Sequence, residues 1–465
     1  MKEWHHRERW IVGSFLIASG VILFFNLWGR SLENHGYIKY AEIAREMIRS
    51  GEWVVPHSNG EIFIDKPPLL FLLIAFPSSL YGSVTPLIAR LPSAFAAWIV
   101  ILVLFLWAQK VYGTTHSGLI AAGVLLSSYQ YFSQARLAKT DMLLLLFVIL
   151  SLYFFYLGQG EMRKGRRFAF YGLSFFSMGL GTLTKGPFGF LVPLLVISIF
   201  LVKEKQWKML FSKEFLFGYG VLALTVLPWV ILFIGRVGWE ECITLIKGNK
   251  ILSRHAPIYF YFIRIWGEIF PWSVLLPFLF FHIWRQKTKI WNSWESFFLI
   301  WFVVLFVALT LFKFRTSRYL LPALPPLAFM VGGMWKKKVT TFVMIFLLAI
   351  LFWHGREMVW IKKDLSYSPG MVLVRELEPF LKGKTLFAYR LDVSTLDEMN
   401  FYLDPAVPIP LLKEIEHSDK SEGERKKAVL MPKRFYENSK ADENNTITFI
   451  EEFNYKKRKL VLVSY

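Results

Sequence analysis

Only one of the 465 residues is a cysteine, Cys242, so no intramolecular disulfide and no cysteine-based zinc or iron–sulfur centre holds this protein together. Its simplest reading is a small buried apolar side chain. Acidic residues are also scarce: 34 Asp and Glu stand against 54 Lys and Arg, for a formal net charge of +20. No internal repeat or low-complexity segment stands out beyond the charged HSDKSEGERKK at 417–427, which reads as a solvated loop or helix. A small-residue cleavage site is missing after the first apolar run, 11–28, so that run is expected to be a retained first span and not a removed signal peptide.

Apolar residues are abundant: 55% hydrophobic, 18% aromatic, 18 Trp, and a mean hydropathy of +0.41. These values exceed those of a soluble domain and predict an all-α polytopic membrane protein. Apolar runs near 10–28, 88–109, 117–134, 141–158, 168–183, 187–202, 215–235, 266–284, 294–312, 319–335 and 340–354 predict about eleven spans. The run LLFLLIAFPSSLY at 69–81 is short and contains Pro77, which suits an interfacial or re-entrant helix. With that run left out, Arg7 and Arg9, RKGRR, KEKQWK, RQKTK and KKK fall in one set of alternating loops, as cytoplasmic loops should. The N-terminus is then inside and the tail outside. The expected organisation is a transmembrane domain over 1–354, with a first outer loop at 29–87, followed by a small α/β domain over 355–465.

Cations persist in the outer loops, where they should be sparse: Arg30, Lys39, Arg45, Arg49 and Lys66, then Arg136 and Lys139, Lys185, Lys247, Lys250, Arg254 and Arg264, and finally Lys313, Arg315 and Arg318. Individually such residues snorkel to headgroups; together they would build an electropositive cavity suited to a phosphate-bearing lipid. In the first loop, Tyr37, Tyr40, Ala41, Ala44, Met47 and Ile48 share one helical face, while Lys39, Glu42, Arg45, Glu46 and Arg49 share the other. This predicts an amphipathic helix lying at the outer interface, with Asn34 as N-cap and Gly51 as stop. Asp65 and Lys66 form either a surface ion pair or part of a site. Asp141, at the mouth of a span in QARLAKTDMLLLL, is either a helix cap or a functional carboxylate. Arg254, His255, Arg264 and Glu268 lie among Tyr259 and Tyr261, a mixture that would grip a sugar phosphate but is equally that of an interfacial aromatic belt.

In order along the chain, YAEIAREM with GEWVVPH, DKPPL, ARLPSA, ARLAKTDM, TKGPFG, RHAPIYFYF…PW and SRYLLPALPPLA resemble the bacterial aminoarabinose transferases and protein mannosyltransferases of the GT-C fold, over roughly residues 10–330. The resemblance implies a helical membrane bundle with an outward-facing site and inverting transfer of a sugar from a polyprenyl-phosphate donor. It implies that Asp141 is the essential carboxylate, that Lys66 binds the lipid phosphate, that Lys185 and Arg254 add cationic contacts, and that Tyr40 and Asp65 line the sugar pocket. Arg136, Lys139, His255, Arg264, Arg318 and Tyr319 complete the candidate substrate-binding set.

The chemistry agrees. Loss of a polyprenyl phosphate leaves positive charge at the anomeric carbon and negative charge on the phosphate, which fixed cations stabilise. The carboxylate deprotonates or orients the acceptor, or holds a divalent ion that does so. One departure stands out: where the family carries an Asp-Glu pair before its amphipathic helix, this chain has Gly36-Tyr37. Either Glu33 supplies the carboxylate, with His35 as another base, or the acceptor is itself an anion such as a lipid A phosphate and needs none; loss of catalysis is a third alternative. Transfer to protein hydroxyls is the rival within the same fold, and a transporter the rival outside it. Transporters show internal symmetry and broken helices at the midplane, whereas the charge here sits in outer loops. A bilayer and a lipid-linked sugar are the expected partners, and nucleic acid is not.

Overall fold

The computed structural model describes residues 6–29, 32, 37–248, 256–286, 289, 291, 294–312, 315–335, 339–366, 369–381, 384–403, 409, 411–412, 427–439, 448–455 and 458–464. The chain forms two compact units, one of residues 1–27, 64–73 and 90–358, the other of 28–63, 74–89 and 359–465.

The first unit is a helical bundle. Among the described residues, Pro86–Tyr112, Thr140–Gln159, Lys213–Val237 and Thr341–Val359 are long and apolar enough to cross a membrane, with a fifth span if Phe260–Glu268 and Trp272–Arg285 count as one. The helix Thr140–Gln159 is buried over 78% of its apolar window and Lys213–Val237 over only 6%. The former is therefore the centre of the bundle and the latter a peripheral helix whose exposed Leu216, Leu224, Leu227 and Ile231 face lipid. Aromatic rings tie the helices together: Trp107 lies 4.6 Å from Phe298 and 5.8 Å from Phe297, centroid to centroid, and Phe155 lies 6.0 Å from Phe297.

Several runs expected as straight spans are broken. The run at 117–134 splits into Thr115–Ser127 and Tyr129–Ala135, with Ser128 extended between them. Groups freed at the break find partners: the Trp353 indole donates to the Ser127 carbonyl at 2.9 Å, the Trp272 indole to Ser127 Oγ at 2.9 Å, and Tyr129 N to the Phe270 carbonyl at 3.0 Å. A break inside a bundle is tolerated only with such partners. The run at 266–284 is bent by 116° where Pro271 removes a helix donor. The run at 319–335 opens with a 3₁₀ turn, Ser317–Ala323, before the helix Leu324–Met334, because Pro322, Pro325 and Pro326 each lack an N–H. The helix of the last span continues to Ser366, well beyond 354, since arginine and lysine are good helix formers.

The second unit contains a five-stranded sheet in the order β4–β3–β5–β7–β6, with β3 Thr385–Tyr389, β4 Leu411–Leu412, β5 Lys427–Pro432, β6 Thr448–Tyr455 and β7 Arg458–Ser464. β3 runs parallel to β4 and β5, while β7 runs antiparallel to β5 and β6. Period-two alternation divides its apolar residues between two cores. Ala428, Leu430, Leu460 and Leu462 join Leu373, Leu377, Leu396 and Met399 of the helices Pro369–Leu377 and Val393–Leu403; Val429, Met431, Val461 and Val463 join Tyr436 of Lys433–Ser439. This is the small α/β fold expected of the tail.

The same unit holds the first-loop helix, Tyr37–Ser50, and a hairpin of β1, His57–Ser58, and β2, Glu61–Ile62. Asn59 and Gly60 both take positive φ at the tip, 56° and 78°, as a two-residue hairpin turn requires. The expected helix is present, but its polar face is not all at a surface. Glu42, Arg45 and Glu46 are buried, because the helix packs against Val393–Leu403 of the tail, and Arg45 donates to the Phe401 carbonyl at 2.8 Å and to the Asn400 carbonyl.

Candidate active site

The helices Thr140–Gln159 and Lys164–Lys185 follow each other in the chain across a short turn and pack antiparallel, so the start of one lies beside the end of the other. Lys139 caps the first helix in extended conformation, its carbonyl accepting from Ser93 Oγ at 3.1 Å. Asp141 is thus a first-turn residue and not the cap. Its carboxylate, 4% exposed, sits at the positive end of the helix dipole and accepts a hydrogen bond from Lys185 Nζ, at the negative end of the other helix.

Lys185 is held by a tight reversal. Gly186, at φ 71°, ends its helix in a conformation that a side chain would strain, and Pro187 leads into the helix Phe188–Lys203. The two helices then meet at Gly181 and Gly189, where a Cβ on Gly189 would lie 2.0 Å from the Gly181 carbonyl carbon. Replacing Gly189 by alanine is expected to cost at least about 3 kcal/mol, seen as a lower melting temperature of the purified protein in detergent, together with loss of any activity that uses Lys185. A wild-type melting temperature would refute the close approach.

Three more cations surround the pair. Lys185 Nζ lies 4.7 Å from the centroid of the Tyr319 ring and the Arg318 guanidinium 5.9 Å from the same ring, so Tyr319 offers its face to two cations. Lys66 follows the turn of Asp65 and donates to its own neighbour's carbonyl at 2.8 Å. Burial and the nearby Lys185 lower its ammonium below the usual lysine range. Lys139 is pushed down to about 8, first by burial and then by Arg318. Its charge is therefore present below about pH 8 and lost as pH rises through that value. Affinity for a singly charged phosphodiester is expected to weaken severalfold between pH 7 and pH 9, and a Lys139→Met variant to lose that dependence when both are titrated with a non-hydrolysable polyprenyl phosphodiester.

The cluster opens into a cleft lined by Asp141, Leu144, Lys185, Phe188, Val192, Leu305, Leu309, Phe312, Arg318, Tyr319 and Pro322. One end is ionic and the rest apolar, the polarity pattern of a ligand with an anionic head and a hydrocarbon tail. Of the residues singled out from sequence, Asp141, Lys185, Arg318 and Tyr319 line this cleft, and Lys66 and Lys139 lie within electrostatic reach of it. The apolar wall, Leu305, Leu309 and Phe312 above all, was not legible, since nothing distinguishes these residues from others in the same helix.

Other candidates are placed elsewhere. Arg136 is buried, paired with Glu357 at 2.7 Å, and donates to the carbonyls of Leu23 and Phe25; it ties the end of the first helix to the bundle and does not line the cleft. Arg264 is exposed, its guanidinium 5.4 Å from the Phe260 ring. Asp65 is exposed, and Tyr40 is half-buried in the second unit. Glu33, Arg254 and His255 lie outside the described residues. Among the described residues no group of three or more His, Cys, Asp or Glu is placed to hold a metal ion. Asp141 stands among ammonium and guanidinium groups, which repel a cation and do not ligate one, so no step is assigned to a metal.

Residues 65–232 match the family described as dolichyl-phosphate-mannose-protein mannosyltransferase. The chain is 29% identical over 345 residues to an uncharacterized protein of Aquifex aeolicus, covering 72% of this chain and 67% of that one. It is 27% identical over 340 residues to the undecaprenyl phosphate-alpha-4-amino-4-deoxy-L-arabinose arabinosyl transferase 2 of Pseudomonas fluorescens, covering 70% of this chain. The match spans 56% of that relative's own length. The structure superposes on ArnT from Cupriavidus metallidurans in the apo state with a TM-score of 0.79 at 17% identity, covering 99% of this chain and 98% of that one. The form bound to undecaprenyl phosphate gives the same TM-score over 98% of each chain. The fold is therefore the GT-C fold expected from the sequence.

Proposed function

From a chain with the GT-C fold, with aminoarabinose transferases among its similar sequences and a mannosyltransferase family matching residues 65–232, we propose that it is an inverting membrane glycosyltransferase. It transfers a sugar from a polyprenyl-phosphate donor to a lipid acceptor such as a lipid A phosphate. The observation that carries this reading is the cleft whose ionic end holds Asp141, Lys185 and Arg318 and whose walls are apolar, since a polyprenyl phosphate has that polarity along its length. Similarity to a structure with undecaprenyl phosphate bound supports the same donor class.

The donor's phosphate enters among Lys66, Lys185 and Arg318, and its isoprenoid tail lies along Phe188, Val192, Leu305 and Leu309. An acceptor oxygen attacks the anomeric carbon from the face opposite the phosphate. The new carbon–oxygen bond forms as the bond to phosphate breaks, and the bonding pair leaves with polyprenyl phosphate, whose negative charge the cations stabilise. Phosphate arriving at Lys185 competes with Asp141 for its ammonium and frees the carboxylate. With a hydroxyl acceptor, Asp141 takes the proton. With a phosphate acceptor there is no proton to take, and Asp141 orients the cations and the acceptor.

The enzyme is placed in the bacterial inner membrane as a multi-pass protein, with its N-terminus cytoplasmic and its tail on the outer side, following the distribution of cytoplasmic cations in the sequence. Purified protein incubated with polyprenyl-phosphate sugars and either lipid A or a hydroxyl-bearing peptide tests the reading by mass spectrometry. Glycosylated lipid A supports the lipid acceptor, glycosylated peptide supports the protein O-glycosyltransferase alternative, and donor that stays intact with both argues for transport.

A further inference from the structure

Among the described residues, the second unit buries more carboxyl groups than cations at one junction. Where the first-loop helix and the tip of the β1–β2 hairpin meet the helix Val393–Leu403, Glu42 is 1% exposed, Glu46 7% and Asp397 2%, whereas Arg45, at 9%, is the one buried guanidinium there among the described residues. Hydrogen bonds run through the hairpin tip. Asn59 N and Gly60 N donate to Glu46 at 2.6 and 3.2 Å, and Asn59 Nδ2 donates to Asp397 at 2.8 Å. Asn400 Nδ2 in turn donates to Asn59 Oδ1 at 2.6 Å, and Ile409 N to Asn400 Oδ1 at 2.8 Å. Arg45 donates to Glu42 and to the carbonyls of Asn400 and Phe401, and Tyr455 donates to Glu398. Among the described residues, the other charged or titratable groups there are Lys39, whose Nζ sits 4.5 Å from the Phe63 ring, and Arg49 and His57 nearer the surface. An interface held by neutral amide donors around excess buried carboxylate is weakest when every carboxyl is ionised.

We propose that this junction is a proton-operated latch: the hairpin tip and first-loop helix seat most firmly on Val393–Leu403 when Glu42, Glu46 and Asp397 are protonated, and the seat loosens as they ionise. Burial pushes Asp397 up to about 6 and Glu42 up to about 7, and raises Glu46 as well. Groups raised in the seated state hold protons that the opened state releases. The contribution is complete below the opened-state values and is lost as pH climbs through 6 to 7. For Asp397 alone the seating equilibrium shifts about tenfold between pH 5 and pH 7.5, and Glu42 adds to it.

The test is hydrogen exchange by mass spectrometry on the full-length protein in nanodiscs, with rates corrected to protection factors at each pH. Peptides covering residues 37–50, 57–62 and 393–403 are expected to lose at least about tenfold in protection from pH 5 to pH 7.5, while β5 keeps its own. In a Glu42→Gln, Asp397→Asn double variant the loss is expected to shrink below threefold. Equal wild-type protection at the two pH values overturns the latch by itself, and so does a pH effect that persists undiminished in the double variant. None of these readouts depends on glycosyl transfer.

Discussion

Asp141→Asn is expected to lower kcat for sugar transfer at least about a hundredfold, and up to about ten-thousandfold with a hydroxyl acceptor, while the donor's KM changes less than about threefold. Asparagine keeps the shape and still accepts a hydrogen bond from Lys185, so the packing at the mouth of Thr140–Gln159 survives. What it loses is the negative charge and the ability to hold a proton. The size of the loss reports on the acceptor. If the acceptor is a phosphate, no proton moves and the loss stays near the lower bound; if it is a hydroxyl, the missing base costs the full range. Steady-state rates with both acceptor types measure this, and unimpaired transfer by the variant would remove Asp141 from the chemistry.

The second large effect is expected at Lys185. Its replacement by methionine preserves the length and the packing against Tyr319 but removes the cation nearest both the carboxylate and the cleft. A loss of about a hundred- to a thousandfold in kcat/KM follows if Lys185 stabilises the departing phosphate. Stability falls too, because the buried Asp141 loses its contacting ammonium, although Arg318 and Lys139 nearby soften the penalty. A double Asp141→Asn, Lys185→Met variant should recover about 0.5–3 kcal/mol relative to the sum of the single variants, since neither charge is then left without the other. Thermal melts of the three variants measure the coupling. Wild-type binding of undecaprenyl phosphate by Lys185→Met would show that the cleft holds its ligand without this lysine.

Both experiments address residues legible in the sequence, and the reason is chemical. A carboxylate or ammonium at the end of an apolar run is conspicuous because a membrane makes it costly, so Asp141, Lys185 and Arg318 stood out. The same logic overreached at Arg136, equally conspicuous at the mouth of a span, whose charge is absorbed by Glu357 and by the carbonyls that end the first helix. Apolar residues carry no such mark. Leu305, Leu309 and Phe312 became the cleft wall through the packing of one helix against others, and composition treats them as it treats the lipid-facing Val303 and Val307.

The first loop marks the boundary between the two kinds of information most clearly. Its sequence by itself determined a helix at 37–50, amphipathic by spacing, and a turn at Asn59-Gly60, because both follow from local backbone preferences and side-chain period. Composition likewise determined the membrane class and the alternating α/β character of the tail, since partition into lipid and sheet periodicity are read from neighbouring residues alone. Only the tertiary structure decided that Glu42, Arg45 and Glu46 of that helix are buried where it packs on Val393–Leu403, more than three hundred residues later, and that Lys185 meets Asp141. Such pairings depend on which distant segments pack together, and a charged residue carries the same local signature whether a partner or water receives it.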